Sequence, residues 1–140
     1  ADCVKAGTAH RAAVTVLTSI ASSSVGAGTV VASGSADGAL KTWNLGTGVV
    51  LRTVAQFGCG VCSLAWLSKP ARSADGPRDW LAAGCGDHTI TICEPSSGAQ
   101  VATWRGHTGP VHALLWLESQ GWLVSGSADA TVRTWRVRAD

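Results

Sequence analysis

Ser125-Gly126-Ser127-Ala128-Asp129, followed by Thr134-Trp135, decides the fold, because the chain contains this pattern three times. The other two copies are residues 33–37 with Thr42-Trp43, and residues 83–87 with Ile92-Cys93. Their aspartates lie 50 and 42 residues apart, and each stands six positions before the tryptophan or its cysteine replacement. Self-similarity at a period of about 40 to 50 residues is typical of repeat architectures, whose units bury their apolar faces by stacking on neighbours.

Composition and charge exclude several classes of protein. At 140 residues and 46% hydrophobic content, the chain can bury a core of single-domain size. A net charge of +2 with 14% charged residues predicts no basic face, and so no nucleic-acid partner. The longest apolar run, residues 113–117, is too short to cross a bilayer, so we expect no membrane association. Five scattered cysteines and a start without leader features predict reduced thiols and an intracellular location, cytoplasmic or nuclear.

Short alternating apolar runs, bounded by Gly, Pro, Asp and Ser, predict four strands in each repeat. Strand a begins at a Val-x-x-Leu, namely Val14 and Leu17, Val61 and Leu64, and Val111 and Leu114. The other predicted strands are strand b at 30–35, 80–85 and 122–127, strand c at 40–45, 89–93 and 132–137, and strand d at 49–55 and 100–104. Because no segment has a helical period, we predict an all-β chain.

The third repeat carries a family resemblance. Gly106-His107, then residues 125–129, then Trp135-Arg136 resemble the WD-repeat β-propeller signature. The resemblance implies a β-propeller segment of three four-stranded antiparallel blades that is part of a larger or oligomeric ring. We expect blade one at about 9–55, blade two at about 57–104 and blade three at about 106–140, with residues 1–8 as its terminal strand d.

In that family, a hydrogen-bonded tetrad of His, Ser, Asp and Trp pins each blade, and the resemblance implies which residues form it. Blades one and three carry complete sets, which are His10, Ser33, Asp37 and Trp43, and His107, Ser125, Asp129 and Trp135. Blade two keeps only Asp87, because Phe57, Ala83 and Cys93 occupy the other places. We therefore expect blade two to be the softest.

The resemblance implies a non-catalytic protein–protein interaction scaffold without a cofactor. Partners of the family bind where the d–a and b–c loops emerge, and the candidate contact residues there are Thr15, Cys62, Pro110 and His112. Three blades leave two apolar faces open, whereas propellers typically close with about four to eight blades. We therefore expect a protein partner, and also further blades from the same chain or from identical copies.

Two motifs suggest other chemistry. Cys59-Gly60-Val61-Cys62, together with Cys85, His88 and Cys93, raises a metal-binding or redox module as an alternative. This C-x-x-C enters a strand rather than a helix, and Cys85 and Cys93 replace a Ser and a Trp of the repeat. The His, Ser and Asp of the tetrads match a hydrolase triad in type, but they lack a nucleophile elbow and occur twice. We predict no catalytic residue and no metal ligand, and keep open the cysteine module and a structural piece of a larger propeller protein.

Overall fold

The computed structural model describes residues 2, 8–20, 30–68 and 80–137 of the 140-residue chain. These residues form eleven strands, and the described part contains no helix, which confirms the all-β prediction. The strands are β1 (Val14–Ile20), β2 (Val30–Ser35), β3 (Ala39–Asn44), β4 (Val50–Gln56), β5 (Val61–Leu67), β6 (Trp80–Cys85), β7 (Ile90–Cys93), β8 (Gln100–Trp104), β9 (Val111–Leu117), β10 (Trp122–Ser127) and β11 (Val132–Arg136). A search of the described residues finds no helix long and apolar enough to span a bilayer.

The strands form three antiparallel sheets in the order of the sequence, β1-β2-β3-β4, β5-β6-β7-β8 and β9-β10-β11. Each sheet is one blade, and β2, β6 and β10 have the bounds predicted for strand b. Blade three has three described strands. Its fourth strand was predicted from residues 1–8, and residues 1 and 3–7 of that segment lie outside the described residues. The three described blades do not close into a ring.

The blades pack face to face, with blade two in the middle. Its first strand, β5, contacts β1 on one side and β9 on the other. The core between blades one and two is built from Ile20, Val30, Ala32, Leu40, Val54, Val61, Leu64, Leu81, Ala83, Cys85 and Cys93. The core between blades two and three is built from Ala65, Leu67, Trp80, Ala82, Ile90, Ile92, Val111, Leu123 and Val137. Blade two is thus the only described blade with both faces covered.

Equivalent positions of the repeat show what a neighbouring blade contributes. Leu40, Ile90 and Val132 each stand three residues after the repeated aspartate. Leu40 and Ile90 are fully buried, whereas Val132 is 74% exposed because no described blade follows blade three. On the opposite face, Leu64 is 8% exposed against blade one, whereas Leu17 of blade one is 60% exposed. The two ends of the stack therefore present the same apolar positions that the middle blade buries.

The glycine of each repeated motif, which is Ser-Gly-Ser in repeats one and three and Ala-Gly-Cys in repeat two, follows the same rule. A Cβ at Gly34 would lie 2.6 Å from Val61 Cγ1 in blade two, and one at Gly84 would meet Ser63 Oγ of its own blade and lie 2.8 Å from the Val111 carbonyl oxygen in blade three. At Gly126 the nearest atom is Ala113 Cβ at 3.6 Å, an ordinary contact. The two of these glycines that have another described blade against them therefore leave no room for a Cβ, whereas Gly126 does.

This asymmetry predicts the cost of alanine at the three glycines. We expect Gly34→Ala and Gly84→Ala to lower the free energy of unfolding by about 1–3 kcal/mol, because the added methyl group overpacks a blade interface. Gly126→Ala should change it by less than about 0.5 kcal/mol, as an open surface allows. Urea unfolding of the three variants measures the difference, and equal losses at all three sites would contradict the packing argument.

Candidate functional site

Blade three contains a buried hydrogen-bond network that joins two strands, β10 and β11, to the d–a loop and the b–c turn. The His107 Nδ1 lies 2.9 Å from Asp129 Oδ2, and its Nε2 lies 2.6 Å from Ser125 Oγ. The Trp135 indole N–H donates to the same Ser125 oxygen at 2.8 Å. A histidine with its proton on Nδ1 satisfies every contact, because it then donates to Asp129 and accepts from the Ser125 hydroxyl. The network ties the d–a loop and the b–c turn to the middle of the blade.

Two threonines complete this network, and the sequence comparison of the tetrads missed them. The Thr131 hydroxyl and amide both donate to Asp129 Oδ1, and the Thr108 amide donates to Oδ2 at 2.9 Å. The hydrogen bond from the Thr131 hydroxyl, followed by those from Thr108 and His107, holds the pKa of Asp129 well below its usual range despite burial. The signal was readable as Asp-x-Thr in repeats two and three, at Thr89 and Thr131.

Blade one does not contain the complete tetrad that the alignment predicts. The His10 Nε2 lies 2.6 Å from Ser33 Oγ, and the Trp43 indole N–H donates to Ser33 at 3.2 Å. However, His10 Nδ1 is buried and has no hydrogen-bond partner among the described residues, so the expected link to Asp37 is missing. Ala39 replaces the anchoring threonine here and donates only its backbone N–H to Asp37. Desolvation, and then the charge of Lys41, lowers the pKa of His10.

Blade two has exchanged the polar network for apolar packing. Ala83 and Cys93 are fully buried in the core between blades one and two, and Phe57 packs against it. Asp87 keeps its threonine, since the Thr89 hydroxyl donates to Asp87 Oδ1 at 2.6 Å. Burial opposes ionisation of Asp87, but the bonds from Thr89 and from the Cys59 thiol outweigh it and lower the pKa of the carboxyl. Coverage on both faces argues against the expectation that blade two is the softest.

The Ser-His-Asp geometry of blade three is closed to a substrate. Ser125 is fully buried in β10 and His107 is 6% exposed. The Ser125 oxygen already accepts the indole N–H of Trp135. A serine nucleophile needs an accessible Oγ beside its base, so this arrangement favours a structural role for the three residues.

One backbone hydrogen bond recurs at the same edge of each blade and joins the d–a loop to the b–c turn. The three bonds are Ala36 N–H to Ala13 O at 2.9 Å, Gly86 N–H to Gly60 O at 2.9 Å, and Ala128 N–H to Pro110 O at 3.0 Å. We call the surface formed by these six residues and the first residues of β1, β5 and β9 the upper rim. Because the same bond sets the position of both loops in each blade, the rim repeats across all three blades.

The four candidate partner-binding residues lie on the upper rim but differ in availability. The Thr15 hydroxyl is within hydrogen-bonding distance of Gly34 O and Val61 O, so it also bridges blades one and two. Cys62 is half-buried, with its Sγ 3.8 Å from Gly60 O. Pro110 is half-buried and His112 is exposed. Thr15 and His112 are both exposed, but the Thr15 hydroxyl lies against backbone carbonyl oxygens of blades one and two.

The structure does not bring together all the residues of the metal-binding or redox module that the sequence suggested as an alternative. Among the described residues, Cys59, Cys85 and Asp87 have ligand-type atoms that all lie within 4.8 Å of one another, and this group does not include Cys62, His88 or Cys93. Cys93 lies in the core between blades one and two, where burial raises its pKa to about 11. His88 is exposed in the b–c turn, with a positive φ of 77°. Of the predicted set, Cys59 and the buried Cys85 therefore lie together with Asp87, whereas Cys62, His88 and Cys93 lie apart from them.

Comparisons with known proteins agree on one family. The family model "WD domain, G-beta repeat" matches residues 1–44 and 98–136, more than half of the chain. The chain is 44% identical over 63 residues to an uncharacterized WD repeat-containing protein of Schizosaccharomyces pombe, a match covering 45% of this chain and 17% of that protein. It is 29% identical over 104 residues to the WD repeat-containing protein srw1 of the same yeast, covering 74% and 17%. It is 34% identical over 101 residues to the DENN domain and WD repeat-containing protein SCD1 of Arabidopsis thaliana, covering 72% and 8%. The chain thus spans less than a fifth of each relative.

The different anchoring of Asp129 and Asp37 predicts a difference in acid stability. Because the Asp129 pKa is lowered in the folded state, its stabilisation is complete above the unfolded value of about 4 and is lost as the pH falls through the folded value. We expect Asp129→Asn to be clearly less stable than the unsubstituted chain near neutral pH, and the two to converge in acid. Asp37→Asn, the matched control, should cost less because Asp37 does not bond His10.

Urea unfolding midpoints, measured between about pH 7 and about pH 2, test this prediction. Equal losses for the two variants at neutral pH, or a gap for Asp129→Asn that does not narrow as the pH falls, would show that the network around Asp129 does not stabilise its ionised form.

Proposed function

Since the chain belongs to the WD-repeat family, we propose that it is a non-catalytic scaffold that binds another protein through its upper rim. Proteins of this family generally serve as interaction scaffolds. The observation that supports the proposal most strongly is the recurring hydrogen bond between the d–a loop and the b–c turn. It holds the rim backbone rigid while the side chains of the rim vary from blade to blade, and this combination suits recognition by a repeat protein.

The absence of an accessible nucleophile at the one Ser-His-Asp network described in blade three supports the non-catalytic part of the proposal. Ser125 is fully buried and accepts a hydrogen bond from Trp135. The three residues therefore hold the d–a loop and b–c turn in place, and through them the rim.

We place the partner contact at Thr15, Cys62, Pro110 and His112. The rim residues around them are small, including the exposed Ala13, Ala36 and Ala128. Interfaces of high affinity usually depend on Trp, Tyr or Arg anchors, which this part of the rim lacks. A partner would therefore supply the large side chains itself and lay them across the shallow rim, with His112 as the accessible polar contact from this chain.

The two ends of the stack need a different kind of partner. Blade one exposes Val14 and Leu17, and blade three exposes Leu115, Trp122 and Val132. The equivalent positions are buried or partly buried wherever two described blades meet, so each end has the surface that another blade covers. We propose that further blades cover both ends, supplied either by the same natural polypeptide or by identical copies of it.

We also propose an intracellular location, in the cytoplasm or nucleus. Cys59, Cys62, Cys85 and Cys93 are free thiols in the structure, although the Cys59 and Cys85 sulfurs lie within 4.8 Å of each other. Close unpaired thiols persist in reducing compartments, where glutathione and thioredoxin oppose disulfide formation.

Site-specific photo-crosslinking tests where the partner binds. We expect the full chain with a photoreactive phenylalanine derivative in place of His112 to crosslink one defined protein in cells. The same group in place of Ser119 should not, because Ser119 is exposed in the turn between β9 and β10, at the opposite edge of blade three. Adding Ala128→Arg, which places a large side chain on the rim, should weaken the crosslink about tenfold or more. The same protein captured equally from positions 112 and 119, or unchanged capture with Ala128→Arg, contradicts binding at the rim.

A further inference from the structure

Blade two carries a cluster of thiols and a carboxylate at the upper rim, at the point where it has lost its tetrad. Cys59 lies in the d–a loop, Cys85 ends β6 and Asp87 lies in the b–c turn. One ligand-type atom of each residue lies within 4.8 Å of those of the other two. Cys85 also lies in the core between blades one and two and Cys59 packs against it, whereas the rim contact proposed above uses none of the three residues.

The repeat alignment shows which residues stand at the positions of the cluster in blade three. Cys59 stands at the position of Gly109 in blade three, and Cys85 at that of Ser127. Phe57 replaces the histidine that would bond the aspartate, and the Cys59 sulfur lies within 4.8 Å of the Asp87 carboxylate. Two changes to cysteine therefore surround the one tetrad residue that blade two retains.

We propose that Cys59, Cys85 and Asp87 bind a thiophilic divalent cation of the zinc class, with a fourth position open to water or to a partner side chain. Two sulfurs and a carboxylate oxygen are ligand types that Zn²⁺ accepts. In a tetrahedral zinc site with these ligands, the ligand atoms would lie about 3.6–3.8 Å apart. A group already within 4.8 Å reaches that spacing by a side-chain movement of about 1 Å.

Hydrogen bonds from neighbouring residues hold the Asp87 carboxylate and the loop of Cys59 in place before an ion binds. The Thr89 hydroxyl and amide donate to the same oxygen, Asp87 Oδ1, at 2.6 and 3.2 Å, which orients the carboxylate. The Gly86 N–H donates to Gly60 O at 2.9 Å and holds the loop of Cys59 against the turn that follows Cys85. Hydrogen bonds to metal-binding side chains typically raise metal affinity about 10- to 100-fold. The proposed site is therefore partly organised by the same bond that builds the rim.

With the proposed ion, blades two and three would join the d–a loop to the b–c turn in different ways. In blade three, protein hydrogen bonds alone join the d–a loop to the b–c turn through His107 and Asp129. In blade two, an ion held by Cys59 from the loop and by Cys85 and Asp87 from strand and turn would make the equivalent connection. This inference does not depend on the proposed scaffold role, because cobalt binding measures the metal site whether or not a partner protein binds the rim.

Cobalt binding tests the site directly, because Co²⁺ replaces Zn²⁺ and gives intense absorption when bound to thiolates. We expect the reduced, metal-free full chain to bind one Co²⁺ with a thiolate charge-transfer band, and Zn²⁺ to displace it. Cys59→Ser and Cys85→Ser should each weaken binding more than about 100-fold, beyond the usual effect of an outer hydrogen bond. Cys62→Ser and Asp37→Asn, the matched controls, should bind as the unsubstituted chain does.

A threonine pair keeps the test decisive if a cysteine variant fails to fold. Thr89→Val should weaken binding about 10- to 100-fold, whereas Thr131→Val, which alters the same Asp–Thr contact in blade three, should leave it unchanged. Circular dichroism checks that each variant is folded. Absence of a thiolate band at equimolar Co²⁺, or a band that survives Cys59→Ser but disappears with Cys62→Ser, overturns the proposal.

Discussion

The packing of one blade against the next is the constraint on which the rest of the structure depends. A four-stranded sheet cannot bury both of its faces by itself, so each blade relies on its neighbours. The position occupied by Leu40, Ile90 and Val132 shows this directly, because the side chain is buried in the two blades that have a following blade and 74% exposed in the one that does not. The same dependence explains why Gly34 and Gly84 have no room for a Cβ, whereas Gly126 has.

The packing between blades also explains why blade two can do without the polar network that blade three contains. Blade three, covered on one described face, keeps a network in which His107, Ser125, Asp129 and Trp135 satisfy one another. Blade two, covered on both faces, fills the corresponding places with Phe57, Ala83 and Cys93. Buried polar groups stabilise a core only when all of them are paired, so apolar replacements are acceptable where the packing is complete. In blade two, Cys59 and Cys85 lie beside the remaining Asp87.

Much of this architecture could be predicted from the sequence, because strand period and turn residues are local properties. The bounds of β2, β6 and β10 coincide with the predicted strand b segments. The missing hydrogen bond between Asp37 and His10 could not be predicted from the tetrad residues, because both occupy their expected places and only the fold leaves His10 Nδ1 without a partner among the described residues. Contacts between blades were also hidden: Trp104 stacks on Trp135 with ring centroids 5.4 Å apart, although nothing in the repeat pattern pairs them. The cluster of Cys59, Cys85 and Asp87 likewise joins separate loops, which spacing along the chain does not reveal.

The mass of the chain in solution shows most directly whether other blades must cover the two apolar end faces. Light scattering over a range of concentrations should give masses above the 14.3 kDa of one chain, and Leu17→Asp or Val132→Asp should lower them. If the assembly is incomplete, the exposed faces should bind a hydrophobic dye. A folded monomer of 14.3 kDa that binds no dye at any concentration would contradict the account.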